Sequence, residues 1–196
     1  MGNLSDNSGA SFLEDVIRNR RTNLNVYPDQ SIDAEVIRSL CESIHWAPNH
    51  YRTWPWRVAV CTGESRGALG QVIAAALESS GEESARLEKT KTKFFRAPAV
   101  IIVGSVPGDD SLTQEENRDS VAAGIQNLLL LATAFGLASF WSTCPPVATQ
   151  AVSQLAGFPA NTHVTGLIYL GWPKKSVPAP DRPLLEPTFI EPTLSC

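Results

Sequence analysis

Aromatic and polar side chains are concentrated in a short segment of the chain that could hold a flat heterocyclic ligand. The segment, termed here the aromatic loop, reads Ala47-Pro48-Asn49-His50-Tyr51-Arg52-Thr53-Trp54-Pro55-Trp56-Arg57. Aromatic faces accompanied by a few hydrogen-bonding groups suit a planar ring system. The alternative is structural, because the same tryptophans could simply attach the loop to the core.

Basic side chains form two groups that could bind an anion. One group ends the first predicted helix and the other follows the last predicted strand, and together they comprise Arg18, Arg20, Arg21, Lys174, Lys175 and Arg182. Complementing a helix C-terminus would need only one arginine. Because arginine binds phosphate oxygens in a bidentate manner, the two groups predict a bound phosphate, with a solvated rim as the alternative.

A third pattern, Gly63-Glu64-Ser65-Arg66-Gly67, matches the GxSxG motif of serine hydrolases. It falls between a predicted strand and a predicted helix, as a nucleophile elbow requires, and Asp119 and His163 could follow as acid and base. Only one strand precedes the motif, which is too little chain for the sheet of such a hydrolase. The sequence therefore favours an ordinary turn over a hydrolase that uses Ser65.

Composition and missing motifs disfavour several other classes of function. A net charge of −4 argues against electrostatic binding to nucleic acid or to an anionic membrane. There is no Walker or GxGxxG motif, and three histidines without HExxH spacing predict no metal site. The four cysteines form no CxxC pair and the N-terminus is polar, so we expect a cytoplasmic protein.

Hydrophobic periodicity predicts at least five helices and four strands. A capping box formed by Ser11 and Glu14 predicts a first helix that ends near Arg20, after a flexible N-terminus over residues 1–10. Five prolines predict an extended C-terminal arm over residues 177–196. The other predicted elements are helices over 33–46, 69–77 and 147–155, strands over 57–62, 99–106, 137–143 and 163–171, and a charged helix or lid over 79–93.

A long stretch without formal charge predicts a buried centre. No Asp, Glu, Lys or Arg lies between Ser120 and Pro173, and Val121 to Phe135 form a helix that is apolar on several faces. Gln126 and Asn127 interrupt it, so a membrane span is disfavoured. We expect a long central helix buried on more than one side, with a second copy of the chain covering one of them.

The order of these elements predicts an α+β fold. Two helices precede the first strand, so the regular β-α alternation of a doubly wound sheet is absent. Neither an internal repeat nor a linker composition divides the chain. We expect one domain over residues 1–196, with helices packed on a mixed or antiparallel sheet.

Taken together, the chain from Phe12 to Ile190 resembles the FMN-dependent nitroreductase family, in particular its short single-domain members. No single segment is specific, but seven occur in the right order. They are Arg20-Arg21-Thr22, Ala47-Pro48-Asn49-His50, Pro55-Trp56-Arg57, Arg96-Ala97-Pro98-Ala99-Val100, Gln126-Asn127-Leu128 with Gly136-Leu137, Trp141-Ser142-Thr143, and Leu170-Gly171-Trp172-Pro173 before Arg182-Pro183.

The resemblance implies a three-layer nitroreductase-like fold and a homodimer with two FMN sites at the subunit interface. NADH or NADPH would reduce FMN, and a small oxidant such as a nitroaromatic or a quinone would then take the electrons. By position, the FMN-binding residues would be Arg20, Arg21, Thr22, Trp141, Ser142, Thr143, Lys174 and Arg182, with Asn49 and His50 reaching in from the other subunit. No catalytic residue is nominated, since a proton can come from solvent.

Three features depart from the family pattern. Cys144-Pro145-Pro146 follows the segment that the resemblance places near the flavin N5, where many members have Gly. Leu24 stands where some members place a basic group near the flavin, and Trp54 replaces the glutamine that usually precedes Pro-Trp. These departures leave open an alternative within the same fold, a protein that binds or sequesters flavin without turning over.

Overall fold

Six helices and four strands form residues 8–190, the part of the chain that the computed structural model describes. Short 3₁₀ turns cover Ile44–Trp46, His50–Arg52, Lys93–Arg96 and Pro146–Ala148. In chain order the main elements are α1 (Ser8–Asn19), α2 (Ala34–Ser43), β1 (Trp56–Thr62), α3 (Ser65–Ser79), α4 (Ser84–Thr92), β2 (Ala99–Ser105), α5 (Ser111–Ala134), β3 (Ala138–Ser142), α6 (Thr149–Leu155) and β4 (His163–Gly171).

The four strands form one antiparallel sheet in the order β1-β2-β4-β3. All seven residues of β2 are buried, as the continuous Val and Ile run predicts for an internal strand. A bulge between Val103 and Gly104 shifts the register of β2 against β4. Of the two predicted sheet types, the chain adopts the antiparallel one.

Helices cover both faces of this sheet, so the predicted three-layer α+β architecture is confirmed. One core lies between the sheet and α3, α4 and α6, and its largest members are Leu69, Ile73, Phe94, Ile102, Leu167 and Tyr169. The other core lies between the sheet and α2 and α5, around Leu40, Ile44, Ile101, Ile125, Leu128 and Ile168. The charge-free stretch supplies members of both cores.

Helix α5 is the long central helix, but it begins at Ser111, ten residues before the predicted Val121. Asp110 caps it, with a carboxylate oxygen that accepts the Thr113 N–H at 2.7 Å. The first turns are polar, so their periodicity gave no sign of a helix. The helix was predicted to be buried on more than one side, but a single chain does not cover its outer side. Phe135 is 41% exposed there, and Leu130 and Leu131 are only partly buried.

Helix α1 differs from its prediction at its start. It begins at Ser8, so Ser11 lies inside the helix and no capping box forms, while the Glu14 carboxylate accepts the Arg18 Nε–H at 2.8 Å. Residues 8–10 are therefore helical, and residues 1–7 of the predicted flexible N-terminus lie outside the described residues. Phe12, Leu13 and Ile17 point to solvent, each at least half exposed.

The two remaining predictions concern the charged segment and the arm. Residues 84–92 form α4, which packs so closely on α3 that a Cβ at Gly70 would overlap the Lys91 carbonyl. Residues 177–190 are exposed and form neither helix nor strand, while 191–196 lie outside the described residues. Within the described residues, the helices are too short or too polar to cross a bilayer.

Close packing between α5 and the 3₁₀ turn after α2 predicts a strong effect at Gly124. An added Cβ would lie 2.5 Å from the Ile44 carbonyl oxygen, which is backbone and cannot move aside cheaply. We expect Gly124→Ala to lower the free energy of unfolding by about 1–3 kcal/mol, measured by urea denaturation at fixed protein concentration. Gly9→Ala is the control, because nothing lies within 4 Å of its Cβ and it should not destabilise the protein.

Candidate functional site

Three arginines of the predicted phosphate site come together in what we term the cationic cluster, Arg20, Arg21 and Arg182. Burial, and then the positive charges of Arg182 and Arg21, lower the pKa of the Arg20 guanidinium. Arg21 donates from Nη1 to the Arg20 carbonyl at 2.7 Å, but its buried Nε has no hydrogen-bond partner among the described residues. No carboxylate within residues 8–190 forms an ion pair with these arginines.

The backbone that carries Arg20 and Arg21 is tied to the sheet by Asn23. The Asn23 N–H donates to the Ser139 carbonyl at 2.9 Å, and its side-chain amide donates to the Lys175 carbonyl at 3.2 Å. The same side chain accepts the Asn25 N–H at 2.9 Å. Thr22 forms a bridge with Ser139, so the cluster is held beside the start of β3.

Strand β3 presents an open edge next to this cluster. Since the Ser139 carbonyl faces Asn23, the alternation of an antiparallel strand places the Trp141 N–H on the same outer edge. The Trp141 indole donates to the Thr165 carbonyl at 3.2 Å and lies where a side chain at Gly166 would be. Ser142 is half-buried and Thr143 is exposed just beyond the strand.

Lys174 lies near the cluster, but its side chain has another partner. The Lys174 N–H donates to the Asn25 carbonyl at 2.9 Å, which places its backbone next to the arginine-bearing segment. Its ammonium, however, lies 5.6 Å from the centre of the Tyr27 ring. A cation over an aromatic face is a favourable arrangement, so the structure associates Lys174 with Tyr27.

Asn49 and His50 of the aromatic loop lie against the first turns of α5. His50 Nδ1 is 2.9 Å from a Glu116 carboxylate oxygen. The Asn49 side-chain amide donates to the Ser120 hydroxyl at 3.3 Å and accepts the Trp54 N–H at 2.9 Å. Both side chains are therefore positioned by the helix beneath the loop.

The aromatic loop and the cationic cluster lie at opposite ends of the sheet. The loop enters β1 at Trp56, which pairs with Ser105, and Ser105 pairs with His163 at the start of β4. The cluster lies beside Ser139, which pairs with Leu170 near the end of β4. Seven residues of strand separate the two positions by about 24 Å. The two halves of the predicted site do not meet within one chain.

The hydrolase alternative is wrong on geometric grounds. The Ser65 hydroxyl donates to the Thr62 carbonyl at 2.6 Å and accepts the Thr62 N–H at 2.9 Å, so it closes the turn between β1 and α3. Thr62 pairs with Ala99 at the start of β2, whereas His163 pairs with Ser105 at its end. The separation is about 20 Å along the strand, too far for a nucleophile and its base.

Two of the departures from the family pattern, Leu24 and Trp54, have different surroundings. Leu24 packs against the core on the α3 side of the sheet. Trp54 is 57% exposed, and its ring centre lies 6.0 Å from that of Trp56. Leu24 therefore contributes to packing, whereas Trp54 stays largely available at the surface.

Several residues that organise the site were missed by sequence reasoning. Asn23, Asn117 and Ser120 are buried polar residues, and buried polar groups in a folded chain almost always serve as hydrogen-bond partners. Asn117 and Ser120 lie at helical spacing with the buried Val121 and Gly124 of α5. Ser120 adjoins the apolar stripe that begins at Val121, and that position was the available signal; Asn117 lies in the polar first turns, where the sequence shows no such stripe.

A cavity of about 750 Å³ lies at the other edge of the sheet, between α2 and β1. Its lining is mostly apolar, with Ile32, Ile37, Val58 and Val60 among its members. Of its arginines, Arg66 donates to the Ala97 carbonyl at 2.6 Å and is used structurally. This cavity is separate from the cationic cluster.

Comparison with known proteins agrees with this fold. The sequence profile of the nitroreductase family matches residues 17–172. YfhC of Bacillus subtilis, named as a candidate NAD(P)H nitroreductase, is 28% identical over 181 residues, which cover 88% of this chain and 93% of YfhC. The protein DrgA of Synechocystis is 26% identical over 187 residues and covers 86% of each chain.

Solved structures show the same fold. A nitroreductase-like protein from Bacillus cereus superposes with a TM-score of 0.76 at 22% identity and covers 94% of both chains. The FMN-dependent nitroreductase NfnB of Mycobacterium smegmatis, solved in complex with NADPH, gives a TM-score of 0.66 at 19% identity over 84% of this chain and 89% of NfnB. The chain belongs to the nitroreductase family, a family of oxidoreductases.

Unneutralised charge in the cationic cluster predicts a stability change whose sign depends on anions. In buffer without multivalent anions, Arg182→Gln should raise the free energy of unfolding by up to about 0.5 kcal/mol, because repulsion with Arg20 is removed. Saturating phosphate should abolish or reverse this gain. Arg38→Gln is the control, since Arg38 pairs with Glu35 at 3.4 Å and should show no gain. A loss of stability for Arg182→Gln in both buffers would contradict the prediction.

Proposed function

We propose that this protein is an FMN-dependent oxidoreductase that passes electrons from NADH or NADPH to a small oxidant, such as a nitroaromatic or a quinone. One observation carries the proposal: positively charged side chains, which have no acidic partner within residues 8–190, lie beside an open strand edge, and the buried Nε of one of them has no hydrogen-bond partner in that range. Membership of the nitroreductase family supports it. So does the FMN-dependent activity in the name of the structural relative NfnB.

The cationic cluster fits the phosphate group of FMN. A phosphate would counter the burial and, after it, the repulsion from Arg182 and Arg21 that lower the pKa of Arg20, and it would supply an acceptor for Arg21 Nε, which has none among residues 8–190. In this assignment the guanidinium groups of Arg20, Arg21 and Arg182 would bind the phosphate. The Thr22 hydroxyl would form a hydrogen bond to the part of FMN next to the phosphate. Lys174 contributes only through its charge, since its ammonium contacts Tyr27.

The open edge of β3 fits the ring system. The Trp141 N–H faces outward there and can donate to a ring nitrogen, while Ser142 and Thr143 supply hydroxyl groups beside it. When bound, FMN would supply the hydride chemistry that connects the nicotinamide with the oxidant. The protein's own residues orient the ring and fix the phosphate, and solvent supplies the remaining proton.

We propose a homodimer, and the separation of the two halves of the site within one chain supports it. Asn49 and His50 would reach the cofactor held by the other subunit, because about 24 Å of strand separates them from the cluster in their own. An apolar surface is available for the contact, with a cavity of about 340 Å³ lined by Phe12, Leu13, Trp46, Leu130 and Leu131. The exposed arm carries further large apolar residues, Leu184, Leu185, Phe189 and Ile190.

The decisive experiment is the absorption spectrum of the purified protein and its response to nicotinamides. We expect a flavin spectrum that NADH or NADPH bleaches anaerobically and that a quinone or nitroaromatic restores. Protein that takes up no FMN on titration would contradict the proposal. Bound flavin that stays oxidised with both nicotinamides would instead establish the flavin-binding protein without turnover.

Removal of one arginine should weaken binding of FMN but not of riboflavin, which lacks the phosphate. We expect Arg20→Gln to raise the Kd for FMN about 10- to 100-fold, because that is the change in affinity expected when a hydrogen bond to a charged group is lost. The Kd for riboflavin should change less than twofold. Fluorescence titration of both ligands measures this. Arg38→Gln is the matched control. An equal loss for both ligands would place the phosphate elsewhere.

The proposed dimer predicts that a charge on the exposed face of α1 separates the subunits. Phe12 is 62% exposed in one chain, so Phe12→Glu should leave the monomer fold intact while disrupting a contact between copies. Light scattering should report two copies of 21.2 kDa for the parent and one for Phe12→Glu. Ser11→Glu adds the same charge to the same helix and should remain dimeric. A monomeric parent protein would overturn the dimer.

A further inference from the structure

We infer that the aromatic loop is a platform for a planar aromatic oxidant, on which Tyr51 and Trp54 stack. We also infer that Asn117 of α5 is a positioning residue that maintains it. This deepens the proposed function and rests on it, because the loop acts on the cofactor held by the other subunit. The observations are the backbone of the loop, the buried hydrogen bonds beneath it and the exposure of its rings.

The backbone of the loop is strained at three residues. Tyr51 and Arg52 have φ of +56° and Trp54 has φ of +50°, in the left-handed region that favours glycine. Bulky side chains rarely adopt this conformation, and such residues persist only where surrounding structure imposes them. Glycine at these positions would relax the strain but would remove the rings. The chain nevertheless has aromatic residues at two of these positions, Tyr51 and Trp54, despite the strain.

A chain of buried hydrogen bonds imposes this conformation. The Thr53 hydroxyl donates to Asn117 Oδ1 at 2.5 Å, and Asn117 is only 2% exposed. The Asn117 amide donates to the Val106 carbonyl at 3.4 Å, which fixes its orientation. The Asn49 amide in turn donates to the Thr53 hydroxyl at 3.0 Å. Asn117 is thus the anchor between the loop and the helix.

A second line of contacts supports Tyr51. Glu116 precedes Asn117 on α5, and its carboxylate oxygen Oε1 lies 2.9 Å from His50 Nδ1. The His50 and Tyr51 rings lie 3.9 Å apart between centres, tilted by 30°. Tyr51 is therefore backed by a ring that is itself fixed to the helix.

The rings that this support positions do not serve the core. Trp56 attaches the loop, with its indole N–H donating to the Ser120 carbonyl at 3.2 Å. By contrast, Tyr51 is 79% exposed and Trp54 is 57% exposed. The strained backbone and the exposed aromatic surface both cost folding free energy, and the exposed parts of the two rings add nothing to the packing of the core. Their combination points to a ligand that stacks on the rings.

The chemistry of the rings identifies the ligand class. Phenol and indole faces are electron-rich and stack well on flat rings that are electron-poor, such as quinones and nitroaromatics. Small octahedral oxidants such as ferricyanide have no flat face to stack. The loop should therefore lower the KM for planar oxidants and leave the reduction of ferricyanide unaffected.

The test uses the FMN-loaded protein, NADPH or NADH at saturation, and two oxidants, 1,4-naphthoquinone and ferricyanide. Naphthoquinone takes up two electrons and two protons per nicotinamide oxidised, and ferricyanide takes one electron per ion. Thr53→Val removes the hydroxyl that bonds Asn117 at nearly constant volume, and Tyr51→Ala removes a ring. Each should raise the KM for naphthoquinone about 3- to 10-fold, with kcat for ferricyanide within twofold of the parent.

Thr53→Ser is the conservative control, because it keeps the hydroxyl and should behave as the parent does. Equal losses with both oxidants would indicate a general structural role and overturn the platform, as would an unchanged KM for naphthoquinone. If the other subunit covered the loop, Tyr51→Ala would weaken the dimer. Loss of the dimer in this variant would therefore also overturn the platform. Failure of the proposed function looks different, since the parent protein would then bind no FMN and reduce neither oxidant.

Discussion

Partial burial of positive charge beside further positive charge in the cationic cluster is the constraint on which the rest of the site depends. Burial, and then the positive charges of Arg182 and Arg21, lower the pKa of the Arg20 guanidinium, so other interactions must hold the backbone that carries it. Asn23 does so by bonding to the Ser139 and Lys175 carbonyls, and the Tyr27 N–H donates to the Trp172 carbonyl at 3.0 Å. The fold thereby presents preorganised positive charge to an anion.

Helix α5 connects the parts of the molecule that lie far from the cationic cluster, namely the aromatic loop and the apolar surface. Its first turns hold the aromatic loop through Glu116 and Asn117, and its middle packs against the Ile44 carbonyl at Gly124. Its last turns leave Leu131 and Phe135 only partly covered. With 24 residues the helix is about 36 Å long, so one rigid element links the loop to the apolar surface.

Local patterns identified much of the fold but little of the site's support. The run 99–106 was correctly predicted as a strand because burial on both faces leaves a continuous apolar signal. The Ser11 capping box failed because a helix that begins upstream needs no cap there, and the polar start of α5 had no apolar period to detect. The Thr53 to Asn117 bond joins residues 64 apart in sequence, a pairing that only the tertiary fold creates.

The division of the site between the two ends of the sheet has a genetic consequence. In the proposed dimer each cofactor is held by arginines from one chain and approached by the loop of the other. Two inactive copies, one damaged in the arginines and one in the loop, would together assemble one intact centre and one doubly defective centre. Defects in separate alleles could therefore complement each other, and a dominant-negative allele would need to damage both ends at once.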